Sequence, residues 1–215
     1  MRTMHIPRLD LSPVEPVTTR IEQLLQSGVL APIDQLNWPD AFPKSLPVTV
    51  SAAHDDERLF LCYSVTGEQL RAIHAKDFDP VWQDSCVEFF MQREGDAKYR
   101  NFECNALGAL LAGHRESRES FEWLREEVSS ITRYSIIQHR YDLSRQVTDW
   151  WLYLEIPKTV MGFEPNETLS GQKIRANFYK CGDETAEPHY LSWSPINLPA
   201  PDFHAPQFFG LLEMA

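Results

Sequence analysis

The chain has few cysteines, and their spacing excludes a metal-ligand pattern. Cys62, Cys86, Cys104 and Cys181 form no Cys-x-x-Cys pair, and each sits in an apolar, strand-like segment. They read as buried free thiols, a disulfide between neighbouring strands being an option for an exported protein. Basic charge is also scarce. Lys and Arg number 20 against 31 Asp and Glu, a formal net charge of -11. Nucleic-acid and anionic-membrane partners need clustered cations that release counterions, so both are excluded. The charge suits a neutral or cationic ligand and also serves plain solubility. Long apolar runs are missing too. The longest, around residues 106–112, falls far short of the ~20 residues that span a bilayer. Residues 1–10 lack the apolar core of a signal peptide, so the chain as written is expected to be cytoplasmic or a trimmed exported form. Nucleophile elbow, catalytic triad and phosphate loop are all absent, and no catalytic residue is assigned.

What the chain does have is a hydrophobic fraction of 43% with 12% aromatics, enough for a proper core. At 215 residues an all-β sandwich fits as one domain. Residues 1–33 read as a Pro-rich arm packed on the body, with a short helix. Thr19 to Glu22 resembles a capping box and Gly28 would end the helix. The body, residues 34–215, reads as strands at 48–53, 59–65, 85–92, 99–106, 109–112, 132–139, 150–156, 173–180, 189–193 and 208–213. Residues 114–129, with Phe121 and Trp123, are expected to form a helical excursion. Many short strands without long intervening helices predict an all-β, antiparallel, jelly-roll-like sandwich.

Alternate strand residues face opposite sides. Phe102, Cys104 and Ala106 share an apolar face, and Tyr99, Asn101, Glu103 and Asn105 the other. Ile174, Ala176 and Phe178 oppose Arg175, Asn177 and Tyr179. The polar faces suit a sugar, since amides, carboxylates and guanidinium groups bond hydroxyls and rings stack on pyranose faces. They equally suit the solvated outside of a sandwich. Glu88 stands in an almost wholly apolar strand, and a buried carboxylate is costly without a partner. It therefore pairs with a residue such as Arg100 or Arg175, or it faces a ligand pocket. Trp38, Trp150 and Trp193 are expected in the core. Trp151, Tyr153 and Glu155 lie opposite Trp150 and face solvent or ligand.

Five ordered stretches carry a resemblance. They run from Trp82 through Glu88 to Phe90, from Phe102 through Asn105 to Gly108, from Trp151 to Pro157, from Ile174 to Phe178, and from Ser192 to Pro195 followed by 203–210. Residues 34–38 look like the opening element. The set resembles family 9 carbohydrate-binding modules and the wider DOMON-like β-sandwich group, over roughly residues 34–213.

The resemblance implies a carbohydrate ligand held by two aromatic rings, Trp82 and Phe203, with Glu88 and Asn105 among the hydroxyl-binding groups, and a role beside polysaccharide breakdown. Glu103, Arg175, Asn177 and Tyr179 complete the expected carbohydrate-binding set. Two departures stand out: Phe203 replaces a usual Trp, and Glu103 stands where the pattern has a basic residue. No cofactor is expected. Structural calcium is an option that the resemblance adds, with Asp55, Asp56, Asp77 and Asp79 as loop oxygens, although no EF-hand pattern is present. Three rival functions follow: glycoside hydrolysis by Glu88 and Glu103, a haem or redox subunit using ligands such as Met91 or His54, and an interaction domain that kept the fold without the sugar.

Overall fold

The computed structural model describes residues 1–143 and 145–215. Its elements in chain order are β1 (Thr3–Ile6), α1 (Val17–Ser27), β2 (Val29–Pro32), β3 (Gln35–Leu36), β4 (Val48–His54), β5 (Arg58–Glu68), β6 (Cys86–Arg93) and β7 (Tyr99–Asn105). They continue as β8 (Leu110–Arg115), β9 (Phe121–Trp123), β10 (Thr132–Asp142), β11 (Arg145–Pro157), β12 (Lys173–Cys181), β13 (Tyr190–Ser192) and β14 (Gly210–Met214). Two sheets face each other. Among the described residues one runs β1-β14-β12-β6-β7-β8-β9 with β13 and β3 attached beyond β12, and the other runs β10-β11-β5-β4-β2. Among the described residues the strand pairings are antiparallel except β1 with β14, and an isolated parallel bridge joins Arg8 to His54. The chain is thus the all-β sandwich that its alternating pattern predicts.

The period of two builds the core directly. Val87, Phe89 and Met91 of β6, Phe102 and Cys104 of β7, and Ile174, Ala176 and Phe178 of β12 point inward. They meet Val48 and Val50 of β4, Leu61 and Tyr63 of β5, and Trp150 and Leu152 of β11. Phe89 stacks between Phe102 and Phe178, with centroids 5.9 and 5.3 Å away. Each fully buried side chain of this kind contributes about 1.5–3 kcal/mol. One ionic link crosses between the sheets. Lys180 Nζ of β12 donates to Glu68 Oε1 of β5 at 2.8 Å, and Trp150 Nε1 donates to Glu68 Oε2 at 2.7 Å. Trp38, Trp150 and Trp193 are all buried, as expected.

Expectations about the cap of α1, residues 114–129 and the outer side of β11 are corrected. Helix α1 begins at Val17 after Pro16 and has no side-chain cap, so Thr19 and Glu22 form no capping box; Gly28 does close the helix, its N–H reaching Leu24 O. Residues 1–33 supply β1 to one sheet and β2 to the other, so they are woven into the sandwich. Residues 114–129 form no helix. Phe121, Glu122 and Trp123 pair with β8, and a single 3-10 turn follows at Glu127–Ser130; tertiary pairing overrides the charged composition there. The outer side of β11 is not open either. Helix α1 covers it with Ile21 and Leu24 against Phe60, Cys62 and Tyr153. Glu155 there accepts from Tyr153 Oη at 3.0 Å and from Arg58 at 3.0 Å, and it pairs with Arg20.

Candidate functional site

The outer face of the larger sheet is the other half of the alternation, and it is covered, not solvated. Cys86, Phe90, Tyr99, Leu111, Tyr179 and Cys181 form a second apolar cluster with Trp38, Ile196, Phe203 and Phe209 from the overlying loops. Those loops leave a cavity of about 460 Å³, within the usual size range of small-ligand pockets.

Trp82 sits on one wall. It belongs to a 3-10 turn, Val81–Gln83, after Pro80. Val81 is buried and anchors the turn, while the Trp82 indole remains 36% exposed. The turn is tied down where Asp183 N donates to Trp82 O at 3.1 Å and Glu184 N to Gln83 O at 3.1 Å.

The floor is made by carboxyls. Glu88 of β6 and Glu103 of β7 are register partners, and the pleat turns both toward the cavity. Glu88 Oε1 accepts from Cys181 Sγ at 3.1 Å, whereas Glu88 Oε2 is buried without a partner. Burial first, then Cys181 and Glu103, push the Glu88 carboxyl well above the ordinary range. Glu103 accepts from Asn101 Nδ2 at 2.7 Å, and Asn101 Oδ1 accepts from Arg115 Nε at 2.7 Å. Burial carries Glu103 up to about 7, against the pull of Arg115 and Asn101. Asp183 also lines the cavity and is raised by burial.

The remaining walls are aromatic. The Arg115 guanidinium lies 4.3 Å from the Phe121 centroid and 5.2 Å from Trp123, giving a stack of cation and rings. Phe203 also lines the cavity, but Tyr179 stacks flat on it at 4.1 Å and 7°. Tyr190 meets it edge-on at 6.1 Å, and the side chain is 8% exposed. His204 Nδ1 and Tyr99 Oη are 2.8 Å apart, and burial lowers His204 to about 3, so its imidazole is neutral.

Of the eight residues expected at the site, Trp82, Glu88, Glu103 and Phe203 line this cavity. The other four do not, because the fold consumes their polar atoms. Asn105 holds its own turn: Oδ1 accepts from Leu107 N and Ala109 N at 3.1 Å, and Nδ2 donates to His74 O and Asp84. Asn177 bonds Ser194 through both amide atoms. Arg175 caps Pro206 O at 2.6 Å. Tyr179 backs Phe203 and donates to Phe203 O at 3.3 Å. Neither Arg100 nor Arg175 partners Glu88; Arg100 packs at Gly162. Arg115, Phe121, Trp123 and Asp183 also line the cavity and lie outside the expected set. The alternation of Phe121 and Trp123 about Glu122 was the available signal, while Asp183 lies in a loop without periodicity.

The proposed calcium oxygens do not converge. Asp55 serves Arg58, Asp56 serves Ser170 N, Asp77 serves Leu110 N and Arg133, and Asp79 serves Lys76 N, so they do not fit a calcium cage. Haem ligands do not converge either: Met91 is in the inter-sheet core, and His54 Nε2 lies 3.0 Å from Ala215 O.

Comparison with known proteins gives one consistent result. The profile of carbohydrate-binding family 9 matches residues 21–214. A Bacteroides uniformis crystal structure, whose designation as carbohydrate-binding is itself inferred, shares 32% identity and a TM-score of 0.88, covering 100% of this chain and 99% of that one. A family 9 module from Caldicellulosiruptor kristjanssonii in complex with cellotriose aligns at TM-score 0.59 and 9% identity, over 99% of this chain and 93% of its own. The glucose complex of a family 9 module from that organism aligns at 0.54 and 10%, over 100% and 96%. No curated protein matches the chain.

Proposed function

This chain belongs to carbohydrate-binding family 9, and from that premise we propose that its cleft binds a saccharide between the Trp82 indole and the carboxyl floor of Glu88 and Glu103. The observation that carries this reading is the convergence of a half-exposed indole and two buried carboxyls on one cavity. The indole offers an apolar face to a sugar ring. Glu88, held protonated, donates to one hydroxyl, and Glu103 accepts from another. Each such bond contributes a net ~0.5–1.5 kcal/mol, offset by lost translational freedom. The affinity is therefore on the order of micromolar to millimolar.

The aromatic partner of Trp82 is better supplied by Phe121 and Trp123 than by Phe203. Phe121 is 39% exposed, whereas Tyr179 covers one Phe203 face. Phe203 then acts as a backing ring. The cellotriose and glucose held by the Caldicellulosiruptor modules support a sugar as the ligand class. Glu88 and Glu103 rise side by side from adjacent strands, and in a chain of this family of binding modules both act as ligand-holding groups. Within polysaccharide breakdown the chain acts as a binding module beside the hydrolase.

A glycan array probed in parallel with wild type and Trp82→Ala tests this. Selective saccharide binding by wild type that disappears in a folded Trp82→Ala protein supports the cleft. Equal binding by both, or none by either, refutes it.

A further inference from the structure

We infer that the preferred ligand is a saccharide carrying a protonated amine. This rests on the saccharide reading above and narrows it. Four carboxyls line the cavity, Glu88, Glu103, Asp183 and Asp202, against two guanidinium groups, Arg115 and Arg118. The guanidinium groups are already engaged. Arg118 lies 4.0 Å from Asp202. Arg115 reaches Glu103 through Asn101, gives Nη1 to Arg118 O at 2.9 Å, and stacks on Phe121. Among the described residues, no cationic side chain forms an ion pair with Glu88 or Asp183.

Glu88 is the decisive group. It is 4% exposed, and its Oε2 has no hydrogen-bond partner. A buried acceptor left empty is costly, and a carboxylate left without a counter-charge in such a place is costlier. The other titratable neighbours add no positive charge. Cys86 and Cys181 flank Glu88 as neutral thiols: burial pushes Cys86 up to about 12 against the pull of its contact with Cys181, while that contact and then burial hold Cys181 well above the ordinary thiol range. His204 is uncharged, as above.

The two carboxyls without an ion pair belong to one corner, where Tyr190 bonds Asp183 and Arg118 acts on it only through its field. Cys181 Sγ donates to Glu88 Oε1 at 3.1 Å and lies 3.8 Å from Trp82 O, which also accepts from Asp183 N at 3.1 Å. A ligand ammonium in that corner has acceptors on Glu88 and Asp183 and the indole face beside it. A neutral hydroxyl fills the empty acceptor but leaves Glu88 as the neutral acid, so it gains no ion pair. Because burial holds the Glu88 carboxyl well above its usual range, an incoming ammonium drives its proton to solvent and forms an ion pair with the carboxylate left behind.

The test is calorimetric titration of the full chain at pH 6.5 with three disaccharides: β-1,4-linked glucosamine, its N-acetylated form, and cellobiose. The glucosamine disaccharide is expected to bind about tenfold tighter than either neutral one, a difference of one decade in Kd. Its heat should vary with the ionisation enthalpy of the buffer, reporting proton release. Glu88→Gln and, at the cavity rim, Asp183→Asn should each shrink the preference to about threefold or less. Equal or tighter binding of cellobiose overturns the amine and leaves the saccharide reading intact. Binding of none of the three overturns the inference, and the glycan array then decides the wider reading.

Discussion

Glu88 and Glu103 stand directly opposite each other on β6 and β7, both nearly shut from solvent and both turned to the cavity. Like groups placed so cannot both ionise cheaply. Their environments differ, since Glu103 reaches Arg115 through Asn101 while Glu88 meets only a thiol.

That pairing sets a pH dependence. The Glu103 carboxyl rises from 4.5 to about 7 on folding. A group raised in this way binds its proton more tightly when folded, so its contribution is full below pH 4.5 and is lost as pH climbs through 7. Glu103→Gln has no proton to lose. Thermal melts from pH 4.5 to 8 should show wild type losing ground against the variant by on the order of 1–3 kcal/mol. The buried His189 and His204, lowered to about 4 and about 3, act in the opposite direction below pH 6.5, but equally in both proteins. A constant gap between the two melting curves would contradict the assignment.

The two rings expected to clamp the ligand should behave differently. Phe203 is wedged between Tyr179 and Trp38, so Phe203→Ala should cost about 3–5 kcal/mol in urea unfolding. Trp82→Ala, at the cavity wall, should cost about 0.5 kcal/mol or less. Similar losses for both would show that Trp82 is a core residue.

How much was legible in the sequence follows from the same contrast. Alternation within a strand is local, so β6, β7 and β12 and their inward faces could be read directly. The outward faces could not be resolved, because what covers them comes from remote loops. Asn105 and Asn177 present the same pattern as Glu103, yet their amides satisfy turns at Ala109 and Ser194. The charges around Phe121 and Trp123 point to a helix, and only pairing with β8 makes these rings a wall.

Asn105→Ala offers a check on that division. It strips partners from Leu107 N, Ala109 N and His74 O. With each orphaned buried group costing about 1–3 kcal/mol, unfolding by urea should shift by at least one such step. Saccharide affinity of the folded fraction should stay within about threefold of wild type. A selective loss of binding without destabilisation would return Asn105 to the site.

The inter-sheet link makes a separate prediction. Lys180→Met leaves the Glu68 carboxylate, 2% exposed, without its ammonium, and should cost about 3–5 kcal/mol. The double variant Lys180→Met with Glu68→Leu should recover much of that loss, because no charge is stranded. Equal destabilisation of single and double variants would mean the ion pair itself holds the sheets together.

The central claim is that a sugar ring rests on the Trp82 indole. Fluorescence titration with the saccharide selected by the array, on wild type and on Trp82→Phe, tests it most directly. Both proteins carry Trp123→Phe, which removes the other indole that lines the cavity, and Trp38, Trp150 and Trp193 are buried and should report little. A saturable change in indole emission with wild type that vanishes in Trp82→Phe is the predicted result. An unchanged signal in the variant would place the ligand elsewhere.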